Sequence, residues 1–267
     1  MALKGRFALV TGGSRGIGRG IALKLAAEGA KVAVHYYQNE KAAKDTLAGI
    51  RRAGADGILA QADVTKIDEV KRLLDRMEAE FGSLDIFVSN ARPEASAFFE
   101  APLKITLDQW NVAVHSQATA FLVGAREAAK LMSDGGRIIA ITWAPGGRTG
   151  GLQPWVAMGS AKAALESLVR YFAVTLARRG ITVNSVSPGW TEDSVLNSLP
   201  PAAQTAIRDW HTAGWTPMGR LGTPQDIGNV VALLCQEEAA WITGQLIVAD
   251  GGASLMTSDV PPALQLG

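Results

Sequence analysis

The stretch TGGSRGIG, Thr11–Gly18, decides the fold of this chain. It follows the apolar run RFALV and precedes a segment with the apolar spacing of a helix, so it joins a buried strand to a helix. In such a loop Gly12 permits a tight turn, Gly16 lets the backbone approach a pyrophosphate, and Gly18 lets the helix pack closely on the strand. The helix that follows offers unpaired N–H groups to phosphates. The stretch therefore predicts a dinucleotide-binding loop.

Apolar strand-like runs alternate with helical patterns along the rest of the chain. Strands are predicted at 6–12, 31–36, 56–64, 84–91, 135–142, 180–189 and 244–252, and helices at 18–29, 40–53, 70–81, 107–132, from 153, 200–214 and from 224. This alternation favours a parallel sheet covered by helices on both faces, with ligands at the carboxyl ends of the strands. We therefore predict an α/β fold with the strands in one parallel sheet that is covered on both faces. It should form a single domain over 1–267, with a lid at about 190–224 that is rich in Pro, Gly and Trp.

The composition excludes several classes of function. The 267 residues are 48% hydrophobic, and the net charge is +1 with acids and bases interspersed, which argues against nucleic-acid and membrane-surface binding. One cysteine, Cys235, allows no intrachain disulfide, and no secretory signal or membrane-spanning run is visible, so we expect a cytoplasmic protein. No spaced cluster of His, Cys and carboxylates predicts a metal site.

Further motifs extend the pattern of the glycine loop. Together with ADV at 62–64, SNA at 89–91, Lys162 and VNSVSPG at 183–189, TGGSRGIG resembles the short-chain dehydrogenase/reductase family over nearly the whole chain. The resemblance implies an α/β fold with a doubly wound seven-stranded parallel sheet of the Rossmann type, in a homodimer or homotetramer. It also implies that Asp63 and Val64 flank the adenine, that Asn90 and Ala91 line the cofactor, and that Lys162 holds the nicotinamide ribose. The expected cofactor-binding residues are Gly12, Ser14, Arg15, Gly16, Ile17, Gly18, His35, Tyr36, Asp63, Val64, Asn90, Ala91, Lys162, Pro188, Gly189 and Thr191.

The end of the second strand indicates which nicotinamide cofactor binds. NAD-selective relatives place an acid there, whereas this chain reads HYYQN at 35–39. Arg15 in the glycine loop is available to a 2′-phosphate, and one charge-assisted hydrogen bond contributes about 1.5–3 kcal/mol. We therefore expect NADP(H). Gln38 stands where some relatives carry a second arginine, which makes the expected preference moderate.

The catalytic pattern of the family is largely replaced. Most members use Ser, Tyr and Lys with an Asn from the long helix. The tyrosine position, four residues before Lys162, holds Met158; the serine position holds Trp143, with Thr142 beside it; and the asparagine position holds Gln117. Only Lys162 is retained.

A second spacing within the family places the tyrosine seven residues before the lysine. The chain is similar to a branch of enoyl-acyl-carrier-protein reductases with this spacing, in VGAREAAKLM at 123–132 and GSAKAALESLVRYFAV at 159–174. Here that position holds Trp155. A further departure is Arg92, which replaces the small residue usual after Asn90 and Ala91 and narrows the nicotinamide side.

The loss of the tyrosine disfavours ketone reduction, because an indole cannot release its proton at neutral pH. Reduction of an activated C=C bond is more tolerant, since the enolate oxygen needs stabilisation more than immediate protonation. Trp155, Thr142 or Lys162 are the candidates for that stabilisation. The chain has seven tryptophans, which suit a large apolar, polyketide-type or acyl-carrier-bound substrate. Five of them are expected to meet above the carboxyl edge of the sheet: Trp143, Trp155, Trp190, Trp210 and Trp215. The alternatives are a non-redox cyclase or isomerase, and a catalytically dead member of the same fold.

Overall fold

A computed structural model describes residues 1–143, 154–193, 195–257 and 259–265. Its seven strands form one parallel sheet in the order β3-β2-β1-β4-β5-β6-β7. The strands are β1 (Phe7–Val10), β2 (Lys31–Tyr36), β3 (Gly57–Gln61), β4 (Ile86–Ser89), β5 (Arg137–Ile141), β6 (Thr182–Pro188) and β7 (Leu246–Ala249). The strand order reverses between β1 and β4, so a crevice opens at their carboxyl ends. The predicted fold class is confirmed.

Helices cover both faces of the sheet. Those of the described residues are α1 (Gly16–Ala27), α2 (Glu40–Arg52), α3 (Ile67–Phe81), α4 (Leu107–Val114), α5 (Ala120–Leu131), α6 (Val156–Leu176), α7 (Pro201–Trp210), α8 (Pro224–Leu234) and α9 (Pro262–Gln265). The core on one face is built with α3, α5 and α6, and the core on the other with α1, α2 and α8. This two-sided burial explains why the central strands are apolar without alternation.

Two helical glycines allow close packing. A Cβ on Gly20 of α1 would lie 2.2 Å from the carbonyl oxygen of Pro224, and one on Gly124 of α5 would lie 2.6 Å from the ring of Phe87. Contacts this short exclude a side chain at either position. The α1 helix therefore lies directly against the start of α8, and this contact fixes the direction in which α1 leaves the glycine loop.

The helix predicted over 107–132 is interrupted. A π-helical turn, His115–Thr119, separates α4 from α5. The extra residue in such a turn changes which side chains face inward, and these turns often occur at functional sites. Gln117 lies in this turn with a buried side chain. The spacing of apolar residues alone did not indicate the interruption.

The predicted lid connects β6 to α8. Its two ends are joined at the base, where Thr191 bridges Gly222 and the Gly222 N–H donates to the carbonyl of Trp190 at 2.9 Å. The lid helix expected over 200–214 is α7, followed by a π-helical turn, His211–Trp215. In the part of the chain that the structure describes, no helix is both long and apolar enough to cross a bilayer.

Candidate active site

One large cleft lies at the carboxyl ends of the strands. Its volume is about 1140 Å³, which exceeds the roughly 300–1,000 Å³ of a single small-molecule site. The cleft extends from the glycine loop and the end of β2 to the surroundings of Lys162. It therefore offers room for a dinucleotide together with a second ligand.

The glycine loop has the shape that a pyrophosphate requires. Gly12 and Gly16 adopt left-handed conformations, with φ of +66° and +52°. A Cβ on Gly18 would lie 2.2 Å from the carbonyl oxygen of Gly12, so a side chain there would force the loop away from α1. Ser14, Arg15 and Ile17 line the cleft beside Gly12 and Gly18. These residues fit a dinucleotide cofactor.

The switch point between β1 and β4 is held by polar contacts. The backbone N–H of Asn90 donates to Thr11 Oγ1 at 2.8 Å, and Asn90 Nδ2 donates to the Thr11 carbonyl at 2.9 Å. The N–H of Ala91 donates to the same hydroxyl at 3.0 Å. Asn90 and Ala91 both line the cleft, and the contacts of Asn90 with Thr11 hold the glycine loop.

His35 supports the loop from below. Its Nδ1 accepts from the Gly12 N–H at 2.9 Å, and its Nε2 lies 3.0 Å from the Ala62 carbonyl. Burial lowers the pKa of His35 to about 4, so the ring is neutral with its proton on Nε2. We predicted that His35 contacts the cofactor. Both ring nitrogens are bonded within the protein, so His35 lines the cleft but has no hydrogen-bonding atom available to a cofactor.

The part of the cleft beside β2 and β3 carries no acid at the end of β2. Tyr36 and Gln38 line it there, and Asp63 and Val64 line it after β3. The carboxylate of Asp63 accepts from the N–H of Thr65 at 3.0 Å and from its hydroxyl at 2.7 Å, so it serves a local turn.

Arg15 forms an ion pair that sequence reasoning missed. Its Nη2 donates to Glu94, in the loop after β4, 79 residues along the chain. Both side chains are at least half exposed and both line the cleft. Glu94 therefore holds one of the N–H donors of Arg15 within the cleft.

Lys162 is buried on α6, with 7% of its surface exposed. Its Nζ donates to the carbonyl of Ile141, the last residue of β5, at 2.5 Å. Burial, together with the charge of Arg92, lowers the pKa of Lys162 to about 7, and Glu166 acts in the opposite direction. A lysine in this range can exchange a proton at neutral pH.

Aromatic rings surround the position seven residues before Lys162. Trp155 has its ring centroid 5.0 Å from that of Trp143, and 5.1 Å and 5.8 Å from those of Phe98 and Phe99. Met158 is 1% exposed and belongs to an apolar cluster with Phe98. Trp143, Trp155 and Met158 all line the cleft that Lys162 also lines.

Two donors that we predicted for the substrate do not reach open space. Trp155 Nε1 and Thr142 Oγ1 are fully buried, and neither has a hydrogen-bond partner among the described residues. Gln117 is also turned inward, because its Nε2 donates to the Ala91 carbonyl at 3.1 Å and to Ser116 Oγ at 3.1 Å. Gln117 therefore braces the loop after β4.

The lid contributes one tryptophan to the cleft, although we expected three. Pro188, Gly189 and Thr191 line the cleft at the end of β6, and Trp190 lines it beside them. Trp210 and Trp215, which we expected there, instead stack on each other with centroids 4.5 Å apart and are not among the described cleft residues. The expected aromatic pocket is thus made by three of the five tryptophans.

Comparison with known proteins identifies the family. A family model described as Enoyl-(Acyl carrier protein) reductase matches residues 12–254. The chain belongs to this family of short-chain dehydrogenase/reductases. It is therefore an oxidoreductase. Membership of the family disfavours the two alternatives, a non-redox enzyme and a catalytically dead protein.

Relatives of the reductase cover almost its full length. The hydroxynaphthalene reductase-like protein Arp2 of Metarhizium brunneum (strain ARSEF 3297) is 36% identical over 261 residues, 94% of this chain and 96% of the relative. The 1-cyclohexenylcarbonyl-CoA reductase of Streptomyces collinus is 36% identical over 268 residues, 97% of this chain and 91% of the relative. The solved structure of the angucycline C-6 ketoreductase LanV with bound NADP has a TM-score of 0.85 and 35% identity, covering 96% of the reductase and 98% of LanV.

Sequence reasoning understated one functional candidate. Arg92 lines the cleft and donates from Nη1 to the Pro93 carbonyl at 2.8 Å. Burial lowers its pKa, and the charges of Asp193 and Glu94 act against that effect. The available signal was a large cation directly after Asn90 and Ala91, which we interpreted only as a steric change.

Proposed function

We propose that the reductase acts on a carbon–carbon double bond conjugated to the carbonyl of an acyl thioester or a polyketide-type substrate. The observation that carries this is the position of the three tyrosines of the chain. Tyr36 and Tyr37 stand at the end of β2. Lys162 Nζ donates to the last residue of β5, which lies three strands away from β2 in the sheet. Tyr171 lies on α6 with 73% of its surface exposed. Lys162 thus has no phenol beside it.

The chemistry of the two reductions differs in what the protein must supply. NADPH, when bound, supplies the hydride. A ketone then needs a proton at its oxygen, for which the family uses tyrosine. A conjugated double bond instead needs its enolate oxygen stabilised, and the carbon can be protonated later by water. Compared with the family pattern, the cleft of the reductase retains cations but lacks the phenol. This supports reduction of a conjugated double bond.

NADP(H) is the cofactor. This prediction is confirmed by the NADP-bound structure of the neighbour LanV. In the reductase, Arg15 and the glycine loop are the residues that would hold the phosphates. The acyl-CoA named for the Streptomyces relative and the polycyclic substrates indicated for the other two support a small-molecule substrate of acyl or polyketide type.

The proposed function is tested by isotope transfer. NADPH carrying deuterium at C4 is incubated with the reductase and crotonyl-CoA, and the product is examined by mass spectrometry. We expect one deuterium at the β-carbon of butyryl-CoA. A saturated acyl-CoA serves as the control for non-enzymatic exchange. Deuterium found only on the carbinol carbon of a ketone substrate, with none in butyryl-CoA, would contradict the proposal.

Ketone reduction is the second candidate. It is favoured by the pKa of Lys162, about 7, because a lysine in that range can donate a proton without a tyrosine. The same isotope experiment with a polycyclic aromatic ketone tests ketone reduction, which would place deuterium on the carbinol carbon.

Cofactor preference depends on the pair of Arg15 and Glu94. Arg15→Ala is expected to weaken NADPH binding roughly tenfold or more with little change for NADH, because one charge-assisted bond to the 2′-phosphate is lost. Glu94→Gln removes the competing carboxylate and should tighten NADPH binding by a few-fold, since exposed pairs contribute about 0.2–1 kcal/mol. Quenching of tryptophan fluorescence measures both affinities. Equal affinity of the unmodified protein for the two cofactors would refute the preference.

We also propose that residues 1–267 form one domain, that about 190–224 act as a lid, and that the reductase is a homodimer or homotetramer. Apolar side chains support the assembly, because Tyr171 and Val174 on α6 and Leu107 on α4 are largely exposed, and Trp241 is 98% exposed. A monomeric mass by light scattering would contradict it.

A further inference from the structure

Arg92 is a cation in the cleft without a partner acid among the described residues. Its guanidinium donates to the Pro93 carbonyl, and no carboxylate of that part of the chain lies within 4.0 Å of it. The segment 144–153, APGGRTGGLQ, contains no Asp or Glu. A guanidinium has five N–H donors and remains charged at every relevant pH. Most of its donors are therefore available to a ligand.

The charges around Arg92 leave the cation uncompensated at close range. Asp193 and Glu94 attract it from a distance, whereas Arg15 and Lys162 repel it. The Asp193 carboxylate already accepts from the N–H of Val195 at 2.9 Å. Glu94 is paired with Arg15. Partial burial of a charge without an ion pair is unfavourable for folding, and such groups occur preferentially at functional sites.

The other donors near Lys162 are less available. Trp155 Nε1 and Thr142 Oγ1 are closed off from the cleft, and Lys162 Nζ is bonded to the Ile141 carbonyl. Arg92, in contrast, is half-buried and lines the same cleft. Of the two cations among these side chains, Arg92 is the more exposed.

We propose that Arg92 is the group that stabilises the substrate oxyanion in place of the missing tyrosine. This inference rests on the proposed function. In the step, a C–H bond forms at the β-carbon with two electrons from the cofactor, the C=C π bond breaks, and its electrons move to the carbonyl oxygen. Arg92 donates hydrogen bonds to that oxygen. A proton from water then adds to the α-carbon, so the substrate is reduced and NADPH is oxidised.

Kinetics provide the first test. Arg92→Gln is expected to lower kcat with crotonyl-CoA by about 10²–10³-fold, as removal of an oxyanion donor typically does. The affinity for NADPH, measured by fluorescence quenching, should stay within about twofold, because Arg15 and the glycine loop hold the phosphates. Arg92→Lys keeps the charge but not the fork of donors, so it should recover part of the rate. Thermal melting of each variant shows whether the fold is retained.

Binding of a stable anion provides a test that needs no turnover. The probe is 4-nitrophenol, whose phenolate resembles a planar enolate and absorbs visible light. In the complex of the reductase with NADP⁺, we expect the ionisation of bound 4-nitrophenol to shift to lower pH. Arg92→Gln should abolish the shift. Lys44→Gln, which removes an exposed cation outside the cleft, should leave the shift intact at saturating NADP⁺.

The outcomes separate this inference from the proposed function. If crotonyl-CoA is reduced at the same rate by Arg92→Gln, Arg92 has no such role, although the proposed function holds. If no enoyl substrate is reduced but the phenolate shift depends on Arg92, the proposed function fails and Arg92 remains the oxyanion site. A shift of equal size in Arg92→Gln would overturn the inference directly.

Discussion

Trp155→Tyr is expected to raise NADPH-dependent reduction of crotonyl-CoA by about 10²–10⁴-fold, the usual contribution of a general acid. Trp155 lies seven residues before Lys162, and both side chains line the cleft. A phenol at this position can be polarised by the lysine and can release its proton, which an indole cannot do at neutral pH. The indole N–H has no partner in the described part of the chain, so its loss there leaves no acceptor unpaired.

The surroundings of Trp155 should tolerate the smaller ring. Trp143, Phe98 and Phe99 remain around it and can still pack edge to face against a phenol. Glu100 bridges Trp155 through backbone contacts, and its N–H donates to the Pro154 carbonyl at 3.0 Å. These backbone contacts do not depend on the side chain. We therefore expect a modest fall in melting temperature and an intact fold.

Met158→Tyr is the matched control, because it places the same phenol four residues before Lys162. Met158 is 1% exposed within an apolar cluster, and the serine that normally partners such a tyrosine is replaced by Trp143. This single variant should therefore not gain activity. If Met158→Tyr combined with Trp143→Ser restores ketone reduction while Trp155→Tyr has no effect, the site derives from a ketoreductase. The hypothesis that Trp155 occupies the tyrosine position of an enoyl reductase would then be wrong.

The sequence predicts the fold well because the signals for it are local. TGGSRGIG, the alternation of strands and helices, and the apolar character of the strands each depend on residues close together in the chain. The π-helical turn at His115–Thr119 is different, since nothing in the apolar spacing of 107–132 indicates an extra residue in one turn. That turn coincides with the bond from Gln117 to Ala91, 26 residues away, which only the folded chain brings together.

The candidate site is predicted less completely, because its chemistry depends on which atoms face the cleft. Trp155 and Thr142 stand at the expected positions, yet their polar atoms are buried. His35 lies at the cleft, but Gly12 and Ala62 use both of its ring nitrogens. The pairing of Arg15 with Glu94 joins residues 79 positions apart. Side-chain orientation and long-range pairing of this kind have no signature in a single sequence.

Lys162→Met is the second variant with a large expected effect, and it should change activity and stability in opposite directions. We expect kcat to fall by about 10²–10⁴-fold, because the cation that the family resemblance places at the nicotinamide ribose is removed. At the same time the folded state should gain stability. Burial holds the pKa of Lys162 near about 7 in the folded protein, whereas an unfolded lysine titrates near about 10.4.

The sign of the pH dependence follows from these two pKa values. Between about pH 7 and pH 10.4 the unfolded chain binds more protons at this site than the folded chain, so the free energy of unfolding rises with pH across that window. Below about pH 7 the full cost of charging a buried amine is present. Methionine fills a similar volume without charge, although the Ile141 carbonyl loses its donor. We expect a net stabilisation on the order of 2–4 kcal/mol at about pH 6, decreasing towards alkaline pH.

Urea denaturation of the native protein and the variant at several pH values measures this difference, and NADPH oxidation with crotonyl-CoA measures the loss of activity. Lys44→Met is the matched control, because Lys44 is an exposed helical lysine paired only with Glu40 at 2.9 Å among the described residues. It should change neither the slope of stability against pH nor the rate. A Lys162→Met protein that is less stable than the native one at every pH would show that the buried ammonium is compensated in the fold, and an unchanged rate would show that Lys162 takes no part in the reaction. An inactive but more stable protein is the result that burial of Lys162 predicts, since a charge retained at such a cost to folding serves function.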